Sequence, residues 1–352
     1  MNTIKTLYNN QLYLSDIDTC IRHIVNLSQL KNKNVLVTGA TGLIGSFIVD
    51  IMHRLNEKLN FNIKIYALGR SIKRLNDRFT YLENGEDVFF IEQDIVKEIG
   101  MYDVDLDYCI HAASNAYPEV MYNDPVGTIM ANVNGTYNLL HYLKRNNGKR
   151  FLFVSSGEVY GSCKDIYSFT EFSSGTVDLL NVRSCYPLSK RAAENLCIAF
   201  SEQYGMEIVI VRPSHTYGPN NKQNDNRANV QFVENALRHK PIILKSSGQQ
   251  LRSYTYIADT CSGLLSVMLY GENQAAYNLS NSKSIVTIRN FAEIVAKKGN
   301  VDIFFEDDSS QASPFDRAVL DNKRLEDLGW NAEYDIEEGI QHTMEISRWM
   351  KC

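Results

Sequence analysis

Along the first two thirds of the chain, short apolar runs alternate with longer segments whose apolar residues recur every three or four positions. The runs include Val35-Leu-Val37, Val88-Phe-Phe-Ile91, Phe151-Leu-Phe-Val154 and Ile208-Val-Ile-Val211, and they predict strands over 34–38, 62–68, 88–92, 107–111, 150–155 and 207–212. The segments between them predict helices over 43–56, 125–146 and 184–204. Such alternation calls for a parallel sheet covered by helices on both faces. Ahead of it, residues 11–30 place Ile17, Ile21, Ile24 and Leu27 on one helical face behind Ser15-Asp-Ile-Asp18, which resembles a capping box, so a helix packed on the outside of the main domain is expected. Beyond about Gly218 the regularity weakens. A helix over 228–239, a strand near 242–245 and helices near 258–271 and 287–298 are expected, then a loop, a short helix and a terminal helix from Asp316 to Met350.

One turn sharpens this pattern. The strand Val35-Leu-Val-Thr38 runs into Gly39-Ala-Thr41-Gly42-Leu43-Ile44-Gly45, with a glycine at every third position, and then directly into a helix. This arrangement lets the backbone approach a pyrophosphate while a helix N-terminus faces the negative charge. The expected architecture is therefore α/β: a Rossmann-type doubly wound parallel sheet with a smaller, irregular C-terminal domain. Its predicted parts are an N-terminal helical extension (1–32), an NAD(P)-binding domain (33–218, with room for a later strand to return to the sheet) and a mainly substrate-binding domain (219–352).

Composition narrows the partners. The 352 residues are 44% hydrophobic and 22% charged, with a formal net charge of −5, which gives no basic footprint for nucleic acid. No run of about 18 apolar residues suits a membrane span. The seven cysteines are scattered and never fall in C-x-x-C, so free thiols in a reducing cytoplasm are expected and no metal site is.

The candidate chemistry lies further along. Tyr186 and Lys190 in Tyr186-Pro-Leu-Ser-Lys190 stand one helical turn apart, on the same face. A phenol with a reference pKa of about 10 is too weakly acidic to act as a base near neutrality, but a nearby ammonium favours the phenolate, which can take a proton from a sugar hydroxyl as hydride leaves carbon. Phe151-Leu-Phe-Val-Ser155-Ser156 brings a serine to the C-terminal edge of the sheet, where open α/β folds bind ligands, so Ser155 or Ser156 would orient that hydroxyl.

These motifs together resemble the extended short-chain dehydrogenases/reductases that remodel nucleotide sugars, over roughly residues 33–345. The resemblance includes the glycine turn, Asp94-Ile95, His111-Ala-Ala-Ser114, Asn132-x-x-Gly135-Thr136, Tyr186/Lys190, Arg212-Pro-Ser-His-Thr-Tyr217-Gly218-Pro219, Arg252-Ser-Tyr-Thr-Tyr256-Ile-x-Asp259 and Leu328-Gly-Trp330. It implies cofactor contacts from Gly39, Thr41, Gly42, Leu43, Ile44, Gly45, Arg70, Asp94, Ile95, Ala112, Ala113, Ser114, Asn132, Tyr186, Lys190 and Pro213. It implies substrate contacts from Asn115, Arg183, His215, Arg227, Arg252 and Arg317, the last three as a diphosphate clamp suited to bidentate guanidinium donors. His215 stands where the family usually carries asparagine.

Glu158 narrows the reaction. Ser155-Ser-Gly157-Glu158-Val-Tyr160-Gly161 resembles the segment that carries an acid/base glutamate near C5 of the 4-keto sugar in dehydratases and UDP-glucuronate decarboxylases. Gly157 replaces the aspartic acid that protonates the departing hydroxyl in dehydratases, whereas carbon dioxide leaves without a proton. Arg183-Ser-Cys185-Tyr186-x-x-x-Lys190-Arg191-x-x-Glu194 also resembles the decarboxylase text, and Arg183 is placed to contact a sugar carboxylate. The expected activity is a redox-neutral nucleotide-sugar decarboxylase. A 4,6-dehydratase or epimerase and a net 4-ketosugar reductase or dehydrogenase stay open as alternatives; a non-catalytic NAD(P) sensor is the remote one. The second strand ends in Gly69-Arg70-Ser71 with Lys73 and Arg74 following, not in a carboxylate, so a tightly held NAD or NADP is expected, with a slight lean to NADP. Relatives use helices matching 125–146 and 184–204 to form a homodimer.

Overall fold

Val35, Leu36 and Val37 are all fully or almost fully buried, as a strand covered on both faces requires, and they lie inside a seven-stranded parallel sheet. The structure, a computed structural model, describes residues 5–82, 85–100, 104–163, 166–220, 225–306 and 317–351. In chain order its first half holds α1 (Gln11–Arg22), β1 (Asn34–Thr38), α2 (Leu43–Leu59), β2 (Lys64–Gly69), α3 (Ile72–Arg78), β3 (Val88–Glu92), β4 (Tyr108–His111), α4 (Pro118–Asn123), α5 (Pro125–Arg145), β5 (Arg150–Val154), α6 (Cys185–Tyr204) and β6 (Glu207–Pro213). The second half holds β7 (His215–Tyr217), α7 (Ala228–Leu237), β8 (Ile242–Leu244), β9 (Leu251–Tyr256), α8 (Ile257–Tyr270), β10 (Ala276–Leu279), β11 (Ile285–Thr287), α9 (Ile288–Gly299), β12 (Ile303–Phe305), β13 (Arg317–Ala318), α10 (Lys323–Glu326) and α11 (Ile336–Lys351).

The main sheet has the order β10-β6-β5-β4-β1-β2-β3. Alternate strand residues serve opposite faces. Val35 and Val37 pack toward α2 and α8, whereas Leu36, Leu68, Cys109 and Phe151 pack against Leu139, Leu140 and Leu143 of α5 and Cys197 and Phe200 of α6. Among the described residues no helix is long and apolar enough to cross a membrane.

The chain does not divide cleanly at Gly218. β10 pairs with β6 in register Ala276↔Ile210 to Leu279↔Pro213, and α8, buried over Ile257–Leu269, lies under the sheet. Ala-Tyr-Asn-Leu is too short and mixed to read as a strand by itself, so pairing with β6 rather than propensity makes it one. The remaining C-terminal strands build two small sheets, one of four strands in which β7, β11 and β13 all pair with β9, and one in which β12 pairs with β8. The predicted start of the last stretch, Asp316, lies outside the described residues.

The N-terminal extension departs from its expected cap. Asn10, not Ser15, caps α1 by accepting the Tyr13 N–H at 3.0 Å, and Ser15 sits inside the helix. α1 packs against the main domain through buried polar contacts as well as apolar ones. Tyr13 donates to buried Asp50 of α2 at 2.5 Å, and buried Asp16 accepts from Tyr256 (2.6 Å), Tyr334 (2.9 Å) and His342 Nδ1 (2.8 Å). Six cysteines are free thiols; Cys352 lies outside the described residues.

Candidate active site

The C-terminal ends of β1 to β4 surround a cavity of about 380 Å³ lined by Gly39, Thr41, Gly42, Arg70, Asp94, Ile95, Ala112, Ala113, Ser114 and Asn115. Ten of the predicted contacts therefore converge, at the point where β1 has β2 on one side and β4 on the other. Gly39 has φ +66°, and a Cβ there would stand 2.9 Å from the Ala112 carbonyl oxygen; a Cβ on Gly45 would stand 2.4 Å from the Gly39 oxygen. Only glycines allow so tight a turn. Gly42 caps α2 without a side-chain hydrogen bond, which leaves the N–H groups of the first turn for an anion. This bare cradle fits the pyrophosphate of a dinucleotide, with Leu43, Ile44 and Gly45 contributing main chain. Ser71, Gln93 and Val96 also line the cavity. Sequence reading missed them because their contribution depends on loop path rather than residue type.

Arg70 and Arg74 both face this cavity, whereas Lys73 points away and pairs with Asp77 at 2.6 Å. Asn132 is fully buried. It accepts from Ser114 at 2.8 Å and donates to Ser189 at 2.9 Å, so its side chain ties α5 to α6 and to the loop after β4. Pro213 is buried at the end of β6.

Tyr186 and Lys190 are both buried in α6. The two adjacent serines part ways. Ser156 hydrogen-bonds the Tyr186 hydroxyl and accepts the Glu158 N–H at 3.1 Å, whereas Ser155 donates to Glu194 at 2.5 Å, and Glu194 in turn holds Arg212 at 2.6 Å. Ser156 is thus the serine beside the phenol. Burial pushes Tyr186 up to about 12, with the Glu158 charge adding to the rise; the Ser156 hydrogen bond and the Arg183 and Arg227 charges oppose it. Lys190 Nζ lies 5.9 Å from the centre of the Tyr186 ring and donates to the Val154 carbonyl at 2.8 Å. Burial lowers this ammonium to about 7 against the pull of Glu194. Lys190 therefore stands beside the phenol with its ammonium held at the end of β5, and the Arg183 and Arg227 charges also favour the phenolate.

Glu158 and Arg183 form a close pair, with Arg183 Nη2 2.8 Å from both carboxylate oxygens. Arg183 thus meets the protein's own carboxylate. Gly157 sits under Leu320, whose Cδ1 would lie 3.1 Å from a Cβ at that position. The absence of an acid there is matched by a packed leucine that no local motif announced.

On the substrate side, Arg227 is oriented by Asp225 at 2.6 Å, an i,i+2 pairing with no sequence signature. Arg252 is buried in β9 and donates to the Leu251 carbonyl at 2.8 Å. Arg317, in β13, pairs in register with Leu251 and lies 5.7 Å from the Tyr167 ring. His215 is exposed at the surface, hydrogen-bonded to the Ser253 backbone and packed 5.6 Å from the Tyr254 ring. Its packed surroundings, with the Arg252 and Arg227 charges, lower its pKa. The site therefore presents clustered guanidiniums around a phenol and one carboxylate, an arrangement fit for an anionic substrate with an exchangeable proton.

Comparison with known proteins agrees with this geometry. The chain is 32% identical over 328 residues to UDP-glucuronic acid decarboxylase 1 of Xenopus tropicalis, covering 92% of this chain and 74% of that protein. It is 32% identical over 315 residues to UDP-glucuronic acid decarboxylase 6 of Arabidopsis thaliana, covering 88% and 87%. Its fold superposes on a dTDP-glucose 4,6-dehydratase of Streptomyces venezuelae, solved with NAD bound, with a TM-score of 0.77, 23% identity, and coverage of 90% and 97%. The NAD dependent epimerase/dehydratase family matches residues 35–280, which takes in the glycine cradle, the Tyr186 helix and the returning strand β10, and the chain belongs to that family.

Proposed function

We propose that this protein is a redox-neutral decarboxylase of a nucleotide-linked uronic acid, of the UDP-glucuronate type, working through a transient 4-keto sugar. The observation that carries the reading is the Glu158–Arg183 pair set beside Tyr186, with a leucine-covered glycine where elimination would require an acid. When bound in the cradle, a nicotinamide dinucleotide supplies the hydride acceptor and a positive charge near the phenol. Tyr186 takes the C4 hydroxyl proton, helped by Arg183 and Arg227, while Ser156 holds that hydroxyl in place. Arg227, Arg252 and Arg317 grip the diphosphate. Once C4 is a ketone, the C5–C6 bond breaks, carbon dioxide leaves, and the electron pair passes into the enolate. A proton from solvent, relayed through Glu158, then goes to C5, and C4 is reduced back to the alcohol as Tyr186 returns its proton, so no net oxidation remains. Mass spectrometry of products from a panel of nucleotide sugars tests this. Loss of carbon dioxide from UDP-glucuronate is expected; loss of water or an unchanged mass from another sugar would replace the reading by dehydration or epimerisation.

Arg70 and Arg74 in the cavity, with no carboxylate at the end of β2, support NADP as the preferred cofactor. Arg70→Ala should reduce the ratio of NADP to NAD affinity. The exposed Val126, Ile129 and Tyr137 of α5 support a homodimer through α5 and α6. Val126→Glu with Tyr137→Glu should yield monomers by light scattering.

A further inference from the structure

We propose that Arg183 exchanges carboxylates: it holds Glu158 until a substrate carboxylate takes its place, and Glu158 is released to serve C5 only by substrates that carry that charge. This inference rests on the decarboxylase reading and adds the device by which the site selects an acidic sugar.

The geometry is specific. One guanidinium nitrogen lies 2.8 Å from both oxygens of Glu158. The Arg183 side chain is 16% exposed and that of Glu158 is 28% exposed, so the pair is sheltered but still open on one side. Both belong to segments bordering Tyr186: Glu158 follows β5 by four residues, and Arg183 precedes the tyrosine by three. Both charges are felt by the phenol. A sugar whose C4 hydroxyl rests on Tyr186 carries its C6 substituent close to C4, and hence close to this pair. A carboxylate at C6 offers Arg183 the same bidentate acceptor that Glu158 does. A hydroxymethyl group offers only a neutral oxygen and leaves Glu158 clamped. When the carboxylate departs as neutral carbon dioxide, nothing on the product holds the guanidinium, and it can return to Glu158.

Calorimetric binding reads the exchange without turnover. UDP-glucuronate and UDP-glucose are titrated into the protein, its Arg183→Gln and Glu158→Gln variants, and the double variant, each carrying Tyr186→Phe to block turnover. Arg183→Gln should weaken UDP-glucuronate about 10- to 100-fold and leave UDP-glucose nearly unchanged. Glu158→Gln should tighten UDP-glucuronate by relieving the competition, and that gain should vanish in the Arg183→Gln background. Arg183→Lys, which keeps the charge but loses the fork, should recover part of the affinity and so separate this role from misfolding. The proposal is overturned if Arg183→Gln weakens both sugars equally or neither, or if the gain from Glu158→Gln persists without Arg183, because simple repulsion would then explain it. Absence of carbon dioxide from the wild-type protein would instead strike the decarboxylase reading, and the binding ratios would still decide the exchange.

Discussion

Ser155 gives its hydroxyl to Glu194 at 2.5 Å, and this bond removes it from the reaction centre that its neighbour Ser156 occupies. Two alanine substitutions at adjacent positions should therefore fail differently. Ser156→Ala should lower kcat about 10- to 100-fold with little change in Tm, because it strips one hydrogen bond from the phenol. Ser155→Ala should cost about 1–3 kcal/mol of stability by leaving the buried Glu194 short of a donor, with a far smaller effect on kcat. Steady-state kinetics and thermal melts on both variants decide it.

Lys190 offers a trade between stability and activity. Its folded pKa, about 7, lies well below the value of about 10.4 in an unfolded chain. The unfolded state therefore binds the extra proton between these values, so stability rises with pH across that window and the penalty is fully present below about pH 7. Lys190→Met should be inactive yet more stable than wild type at neutral pH, by about 2–5 kcal/mol at most. The gap should close toward pH 10 in denaturant titrations.

Gly157 and Leu320 should be coupled. Gly157→Asp forces a side chain against Leu320 and should cost about 1–3 kcal/mol. Leu320→Ala in the same chain should recover part of that loss, making the double variant less damaged than the two single effects added together. Additive melting shifts would show that the two positions do not share space.

The Asp16–His342 contact predicts a pH limb at the other end of the molecule. Burial alone would lower this imidazole, but the Asp16 hydrogen bond and charge, with Glu338 and Glu345, raise it overall. A raised folded pKa gives stability that is present below about pH 6.5 and is lost as pH climbs through the folded value. Wild type should therefore lose more stability than His342→Gln between pH 6 and 8, and equal slopes in that range would dismiss the contact.

Much of this fold was legible because both-face burial leaves strands such as Val35–Val37 uniformly apolar, and the glycine turn has a mechanical reason that survives translation into sequence. The six strands and three long helices of the first half emerged within a few residues of their observed ends. The short strands His215–Tyr217 and Ala276–Leu279 did not, since each is held by its partner in a sheet and not by its own composition. At the site, residue types announced Tyr186, Lys190 and Glu158. They could not say which of two serines would turn inward, that Arg183 would pair with Glu158, or that Leu320 would roof Gly157. Those facts depend on partners 25 to more than 100 residues away, or on the direction in which a chain leaves its strand.

The knot of side chains around Asp16 also sets a timetable. Its acceptor oxygens belong to α1, yet the ring of His342 is translated 326 residues later. At roughly 5–20 residues per second that is a wait of about 15–65 s. During this interval α1 holds the Asp16 carboxylate without its imidazole partner, so this knot closes only when α11 arrives.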